Sequence, residues 1–351
     1  MSSPRVTQQP FGQVQGQVVS LYQLTNRTGL VVRLTDYGAT LVALLAPDRG
    51  GQLADVVLGF ETLEDYLAPQ PYLGSVIGRV TNRIAHGRFR LHGQEYRLAV
   101  NNGPHHLHGG LRGWDKVVWT GEVLSSAPEP AVRFSYLSPD GEEGYPGNCR
   151  IAVTYTLTTD DGLRIDYSCI TDRDTPVNPT SHGYFNLTGG HPTDILGHVL
   201  QLAADHYTPV DATMIPLGKI APVAGTSLDF RTPRPIGSRL AEVGSNPSGY
   251  DHNYVVNGPV GTLRPVARVS EPVSGRVMEV LSTEPGVQLY TSNFLDGTLT
   301  GKLGTVYRPY WGLCLETQHF PDTINQPKFP SCVLRAGTTR HSTTVYRFSV
   351  E

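Results

Sequence analysis

Residues 151–170 read IAVTYTLTTDDGLRIDYSCI. In the first arm Ile151, Val153, Tyr155 and Leu157 alternate with Ala152 and two threonines; in the second, Leu163, Ile165, Tyr167 and Cys169 alternate with Arg164, Asp166 and Ser168. A period of two with a polar opposite face is a half-buried strand, and Asp160-Asp161-Gly162 between the arms makes the pair a hairpin. The same pattern recurs outward along the chain. Segments 18–24 and 30–35 flank Asn26-Arg27-Thr28-Gly29, and 89–91 and 95–98 flank His92-Gly93. Helical periodicity is scarce: 61–67 could wind two turns and 239–243 one. No linker, repeat or low-complexity tract interrupts the strands. The pattern predicts an all-β fold, a single large antiparallel β-sandwich over 13–351 with few short helices, preceded by a polar N-terminal segment over 1–12. A doubly wound α/β fold would need long crossover helices that the sequence lacks.

Composition agrees. The 351 residues include 38 glycines and 27 prolines, above average usage, while charged residues are only 17%. That balance suits turns and strands rather than long charged helices. A net charge of −3 gives no electrostatic footprint for nucleic acid or an anionic membrane surface. No apolar run approaches the length of a membrane helix, and 1–12 lacks a secretory pattern. Cys149, Cys169, Cys314 and Cys332 are widely spaced within apolar runs, which predicts buried free thiols and a cytoplasmic protein. Nucleotide-binding glycine motifs, Gly-x-Ser-x-Gly and His-Glu-x-x-His are all missing, which counts against nucleotide cofactors and serine-hydrolase chemistry.

Several polar stretches remain. Gly78-Arg79-Val80-Thr81-Asn82-Arg83-Ile84, taken alone, reads as a surface loop with solvated arginines. In 101–110, His105, His106 and His108 lie close together. His106 and His108 would share one face of a strand, as metal ligands can, but no further ligands stand at metal spacing, so the expectation is no metal. His182 lies between turn residues and Tyr184-Phe185, either a hydrogen-bonded structural ring or one poised near neutral pH. In 310–318, strand alternation puts Gly312, Cys314, Glu316 and Gln318 on one face, with the small residues leaving room for a ligand beside the carboxylate. A carboxylate in so apolar a run is costly unless paired or functional, and Glu316 is the strongest single candidate. Asp251 and Gln288 can bind hydroxyls, although Asp251-His252-Asn253 also reads as a capped turn. Carboxylate, amide, arginine and aromatic side chains together suit a neutral polyhydroxy ligand.

Together these stretches resemble the aldose 1-epimerase (galactose mutarotase) family. The resemblance rests on GRVTNRI (78–84), NGPHHLHGG (102–110), DGEEGYPG (140–147), NPTSHGYFNL (178–187), GYDHNY (249–254), GVQLYTSNFLDG (286–297) and LETQHFPDTINQ (315–326), in that order over nearly the whole chain. It implies a mutarotase-like supersandwich that interconverts the α and β anomers of a free aldohexose such as galactose or glucose, as a monomer or homodimer without a cofactor. It further implies Glu316 as general base, His182 as general acid, and Asn82, Arg83, His108, Asp251 and Gln288 around the sugar. The starting state would be an ionised Glu316 beside a protonated His182. Rival readings are a glycoside hydrolase pairing Glu316 with Asp251, a non-catalytic sugar sensor, and a metal-dependent isomerase using His106 and His108.

Overall fold

The computed structural model describes residues 3–190, 193–244 and 247–351. The hairpin that opened the sequence reading is present, with strand Cys149–Leu157 pairing antiparallel with Gly162–Thr171 and Val153 opposite Tyr167. Its alternation is seen in the burial of the first arm, where Ile151, Val153, Tyr155 and Leu157 are fully buried. The pair lies inside a nine-stranded sheet running Thr120–Ser125, Ala131–Ser138, Cys149–Leu157, Gly162–Thr171, Thr339–Val350, Arg276–Ser282, Arg264–Ser270, Val199–Leu202 and Arg234–Pro235. Strand Thr339–Val350, last of these in the chain, stands in the middle and pairs on both sides.

A five-stranded meander from Arg5–Val14 to Leu53–Asp55 forms a second sheet. Residues 5–12, set apart above as polar, make up most of its first strand and pair with Gln17–Thr25; Met1 and Ser2 lie outside the described residues. The third sheet carries the chemistry described below, in the order Ala221–Pro222, His206–Tyr207, Asp251–Val255, Gly286–Tyr290 and Cys314–Gln318. It packs on the large sheet through alternate residues of its last strand. Thr317 Oγ1 lies 2.5 Å from Thr344 Oγ1, and Tyr346 Oη donates to Leu315 O at 3.0 Å. Leu315, a member of the main hydrophobic core, and Thr317 face the large sheet, and Glu316 faces the other way.

The helices are as short as expected. Segment 61–67 yields one α-helix, Leu63–Leu67, capped by Thr62, whose side chain accepts from Asp65 N. Segment 239–243 falls largely inside a 3₁₀ stretch, Ile236–Glu242. All four cysteines are free and buried, as predicted.

Candidate active site

The site forms where the third sheet meets two loops threaded through the molecule by close backbone contacts. A Cβ on Gly78 would lie 1.9 Å from Trp114, and one on Gly109 would lie 1.8 Å from Gly78 O. Only glycine permits this crossing, and Gly109 also sits at φ +87°. Arg79 is not a solvated surface arginine. It is 2% exposed, and its guanidinium donates to the carbonyls of Pro146 and Gly147 (both 2.9 Å) and to Ser138 Oγ (2.5 Å). The fixed fork of donors matches inward-pointing carbonyls of the 138–147 turn, so burial costs less than solvation would suggest. Arg83 is buried too: it pairs across a two-residue ladder with Leu107, and its Nε donates to Asn102 Oδ1 at 3.0 Å.

The neighbouring histidines part company. His106 is packed inward, its Nδ1 2.7 Å from Ala99 O and its Nε2 2.7 Å from Tyr145 Oη, a structural role. His108 turns away because its φ is +52°, which breaks the strand alternation that would have kept the two rings on one face. Its Nδ1 accepts from Asn82 N at 3.2 Å, and Asn82 O accepts from His108 N at 3.0 Å. An accepting Nδ1 leaves the proton on Nε2, so the neutral ring presents a donor.

His182 follows the bridge Thr180–Ser181 and is held through its backbone: its N donates to Ser75 O and its O accepts from Gly74 N, both at 2.9 Å. Glu316 occupies the centre of the wholly buried strand Cys314–Gln318, opposite Gln288 on the adjacent strand. Its Oε1 lies 3.7 Å from His182 Nε2, with both side chains almost fully buried. Asp251 begins strand Asp251–Val255, so the 251–253 triplet is strand and not the alternative capped turn. Gln288 Nε2 donates to Asp251 Oδ1 at 2.6 Å.

Asn82, Arg83, His108, His182, Asp251 and Glu316 line one cavity of about 190 Å³. Gln288 stands behind it and fixes Asp251. The room expected beside Gly312 and Cys314 is not there. A Cβ on Gly312 would lie 2.9 Å from the Tyr184 ring, so that space is filled by an aromatic side chain. Of the aromatic side chains that line the cavity, Tyr290 and Phe294 are among those expected near Gln288 to stack on a sugar, and Tyr72 is one that sequence reasoning missed. Tyr290 and Phe294 lay within a quoted motif, whereas Tyr72 follows Pro71 in a turn with no chemical signature. Three lining residues, Tyr72, Asn82 and His108, hold positive φ (62°, 58° and 52°), a conformation costing about 1 kcal/mol or more each.

Burial works against both charges of the expected starting state, an ionised Glu316 beside a protonated His182. Burial, reinforced by the Asp251 carboxylate, pushes the Glu316 carboxyl well above the usual range, against an opposing pull from Arg83. Burial pushes His182 down to about 4 and His108 well below its ordinary value. Burial thus favours the uncharged forms of Glu316, His182 and His108 alike. An ionised Glu316 beside a protonated His182 would be two desolvated charges 3.7 Å apart, each opposed by burial. Glu316 Oε2, Gln288 Oε1 and His182 Nδ1 have no protein partner, so groups that donate and accept hydrogen bonds are what the site lacks.

His108, His182 and Glu316 place ligand atoms within 4.8 Å of one another, which raises the question of a metal. The residues do not fit one well. The Asn82 N–H occupies His108 Nδ1 and commits Nε2 to its proton, so that ring has no free lone pair to offer.

Comparison with known proteins bears on this geometry. A family model described as aldose 1-epimerase matches residues 20–347. The chain is 49% identical to human galactose mutarotase over 347 residues, covering 98% of this chain and 99% of that protein. It is 38% identical to Escherichia coli aldose 1-epimerase, covering 96% and 97%. Among solved structures, galactose 1-epimerase from Lactobacillus acidophilus superposes with a TM-score of 0.86 at 27% identity, covering 99% of each chain. A Caenorhabditis elegans aldose epimerase homologue superposes at 0.85 with 32% identity, covering 95% of this chain and 99% of that one.

Proposed function

The chain belongs to the aldose 1-epimerase family, and on that premise we propose that Glu316 and His182 are the base and acid with which it interconverts the anomers of free aldoses. The observation that carries the assignment is their approach, Oε1 to Nε2 at 3.7 Å, inside a cavity of monosaccharide size. Mutarotation needs a proton removed from the C1 hydroxyl and one delivered to the ring oxygen. Both oxygens are bonded to one carbon, so acid and base must lie close together.

Glu316 takes the C1 hydroxyl proton. The freed O–H electron pair forms the carbonyl, the C1–O5 bond breaks toward O5, and His182 protonates O5. Rotation about C1–C2 presents the other face of the aldehyde. The reverse transfers then close the ring and return both protons. The open-chain stage leaves the proton on Glu316 and a neutral His182, the uncharged forms that burial favours. Ring opening therefore ends in the arrangement that burial prefers. The cyclic sugar reacts from the ion-paired arrangement, which its hydroxyls stabilise by donating to the carboxylate. His108 Nε2–H supplies a further donor, while Arg83 and Asp251 fix the ring's orientation. Galactose and glucose, as free sugars, are the proposed substrates, handled without metal or nucleotide, in the cytoplasm.

The test is polarimetry of freshly dissolved α-D-galactose, with and without chelator. Wild type should accelerate the change in rotation regardless of chelator, and Glu316→Gln and His182→Asn should each lose about 10²- to 10⁴-fold. Unimpaired variants would refute the assignment.

A further inference from the structure

Tyr72 is half-buried against the cavity and belongs to none of the stretches that identify the family. Its ring centroid lies 4.7 Å from that of His108 and 6.0 Å from that of His182, the latter nearly parallel at 24°. The two imidazoles meet edge to face at 5.2 Å. His182 is thus flanked by two near-parallel phenols, Tyr72 and Tyr184, the second at 5.0 Å and 19°. Tyr184 also fixes the turn that carries Tyr72, since its Oη donates to Pro71 O at 2.8 Å. Outside, the Lys116 ammonium stands 5.2 Å from the centre of the Tyr72 ring and is itself held by Asp115 at 2.8 Å. A bulky side chain in the left-handed region (φ 62°) is a costly backbone conformation, and the cation over its ring offsets part of that cost by holding the ring in place.

We propose that Tyr72 is a positioning residue of the epimerase site: its ring, pinned by Lys116, keeps the two imidazoles in their reactive orientation and forms an apolar wall for the sugar. This inference rests on the reading of His182 as the acid. The ring also excludes water from His182. The other groups that face this histidine are Glu316 from strand Cys314–Gln318, His108 from the loop after His106–Leu107, and Tyr184 and Tyr290. None of them replaces the wall that Tyr72 supplies.

Polarimetry on Tyr72→Leu, Tyr72→Phe and Lys116→Met, with Glu316→Gln as reference, tests the proposal. Tyr72→Leu should lower kcat about tenfold or more, because the acid is misoriented, and should move the acidic limb of the kcat/KM profile to higher pH as water reaches His182. Tyr72→Phe keeps the ring and should recover most of both effects. Lys116→Met should cost about two- to fivefold in kcat/KM, the loss of an exposed cation–π contact. Wild-type kinetics and pH profile in Tyr72→Leu would overturn the proposal, as would a Tyr72→Phe loss equal to that of Tyr72→Leu. If Tyr72→Leu does not fold, Lys116→Met, altered at a solvent-exposed side chain, decides: no change in kcat/KM overturns it. If Glu316→Gln itself retains full activity, the acid/base reading has failed rather than the role of Tyr72.

Discussion

Replacing Glu316 by glutamine should make the protein inactive and more stable, and the gain should depend on pH. Glu316 is 2% exposed, and burial raises its carboxyl well above the ordinary value of 4.5. A group whose folded pKa is raised contributes its full stability below the unfolded pKa and loses it as pH rises toward the folded pKa. Wild type therefore loses stability from about pH 4.5 upward, while the neutral amide loses none. The loss accrues at about 1.36 kcal/mol per pH unit, so at pH 7.5 it cannot exceed about 4 kcal/mol. His182, pushed down to about 4, works in the opposite direction below its ordinary 6.5, but it is present in both proteins and largely cancels in the difference. Urea unfolding of wild type and Glu316→Gln at pH 5 and pH 7.5, alongside polarimetry, measures both effects. The expected result is near-equal stability at pH 5, a gain of about 1–4 kcal/mol at pH 7.5, and a rate loss of about 10²- to 10⁴-fold. A stability difference that stays constant with pH would show that Glu316 is not desolvated and would refute the raised pKa on which this prediction rests.

Other outcomes follow from the same geometry. The reactive pair needs one shared proton, so kcat/KM should rise as pH passes upward through about 4, where His182 gives up a second proton, and stay level through neutrality; a polarimetric pH series checks this. His108→Ala should lower kcat/KM by about ten- to hundredfold, the value of one buried donor, and His108→Gln should restore part of it. Arg79→Met should cost about 2–6 kcal/mol in urea unfolding, because it strands the buried carbonyls of Pro146 and Gly147.

The hairpins were legible because alternation is local: each half-buried strand carries its own record in residues two apart, as Ile151, Val153 and Tyr155 do. The location of Glu316 was legible for a related reason, since a lone carboxylate in an apolar strand needs an explanation wherever the strand goes. What escaped depended on partners distant in the chain. Arg79 reads as a surface residue until the 138–147 turn supplies its acceptors, and Gly312 reads as open space until Tyr184 fills it. The divergence of His106 and His108 turns on one positive φ at a residue that is not glycine, which composition does not announce. The pull of burial against the charges of Glu316 and His182 escaped because it depends on how far the surrounding protein removes both groups from water. Tyr72 escaped because its significance lies in the rings it touches.

The position of strand Thr339–Val350 between Gly162–Thr171 and Arg276–Ser282 has a consequence for how the molecule assembles. The two halves of the large sheet, strands within 120–171 and strands within 199–282, are not hydrogen-bonded to each other except through this later segment. During synthesis each half waits with an unpaired edge open, a template for pairing with other chains, until the segment arrives. Joining them requires contacts across more than 150 residues on one side, from Gly162 to Arg347, which predicts slow folding and a dependence on chaperones that the finished sandwich does not betray.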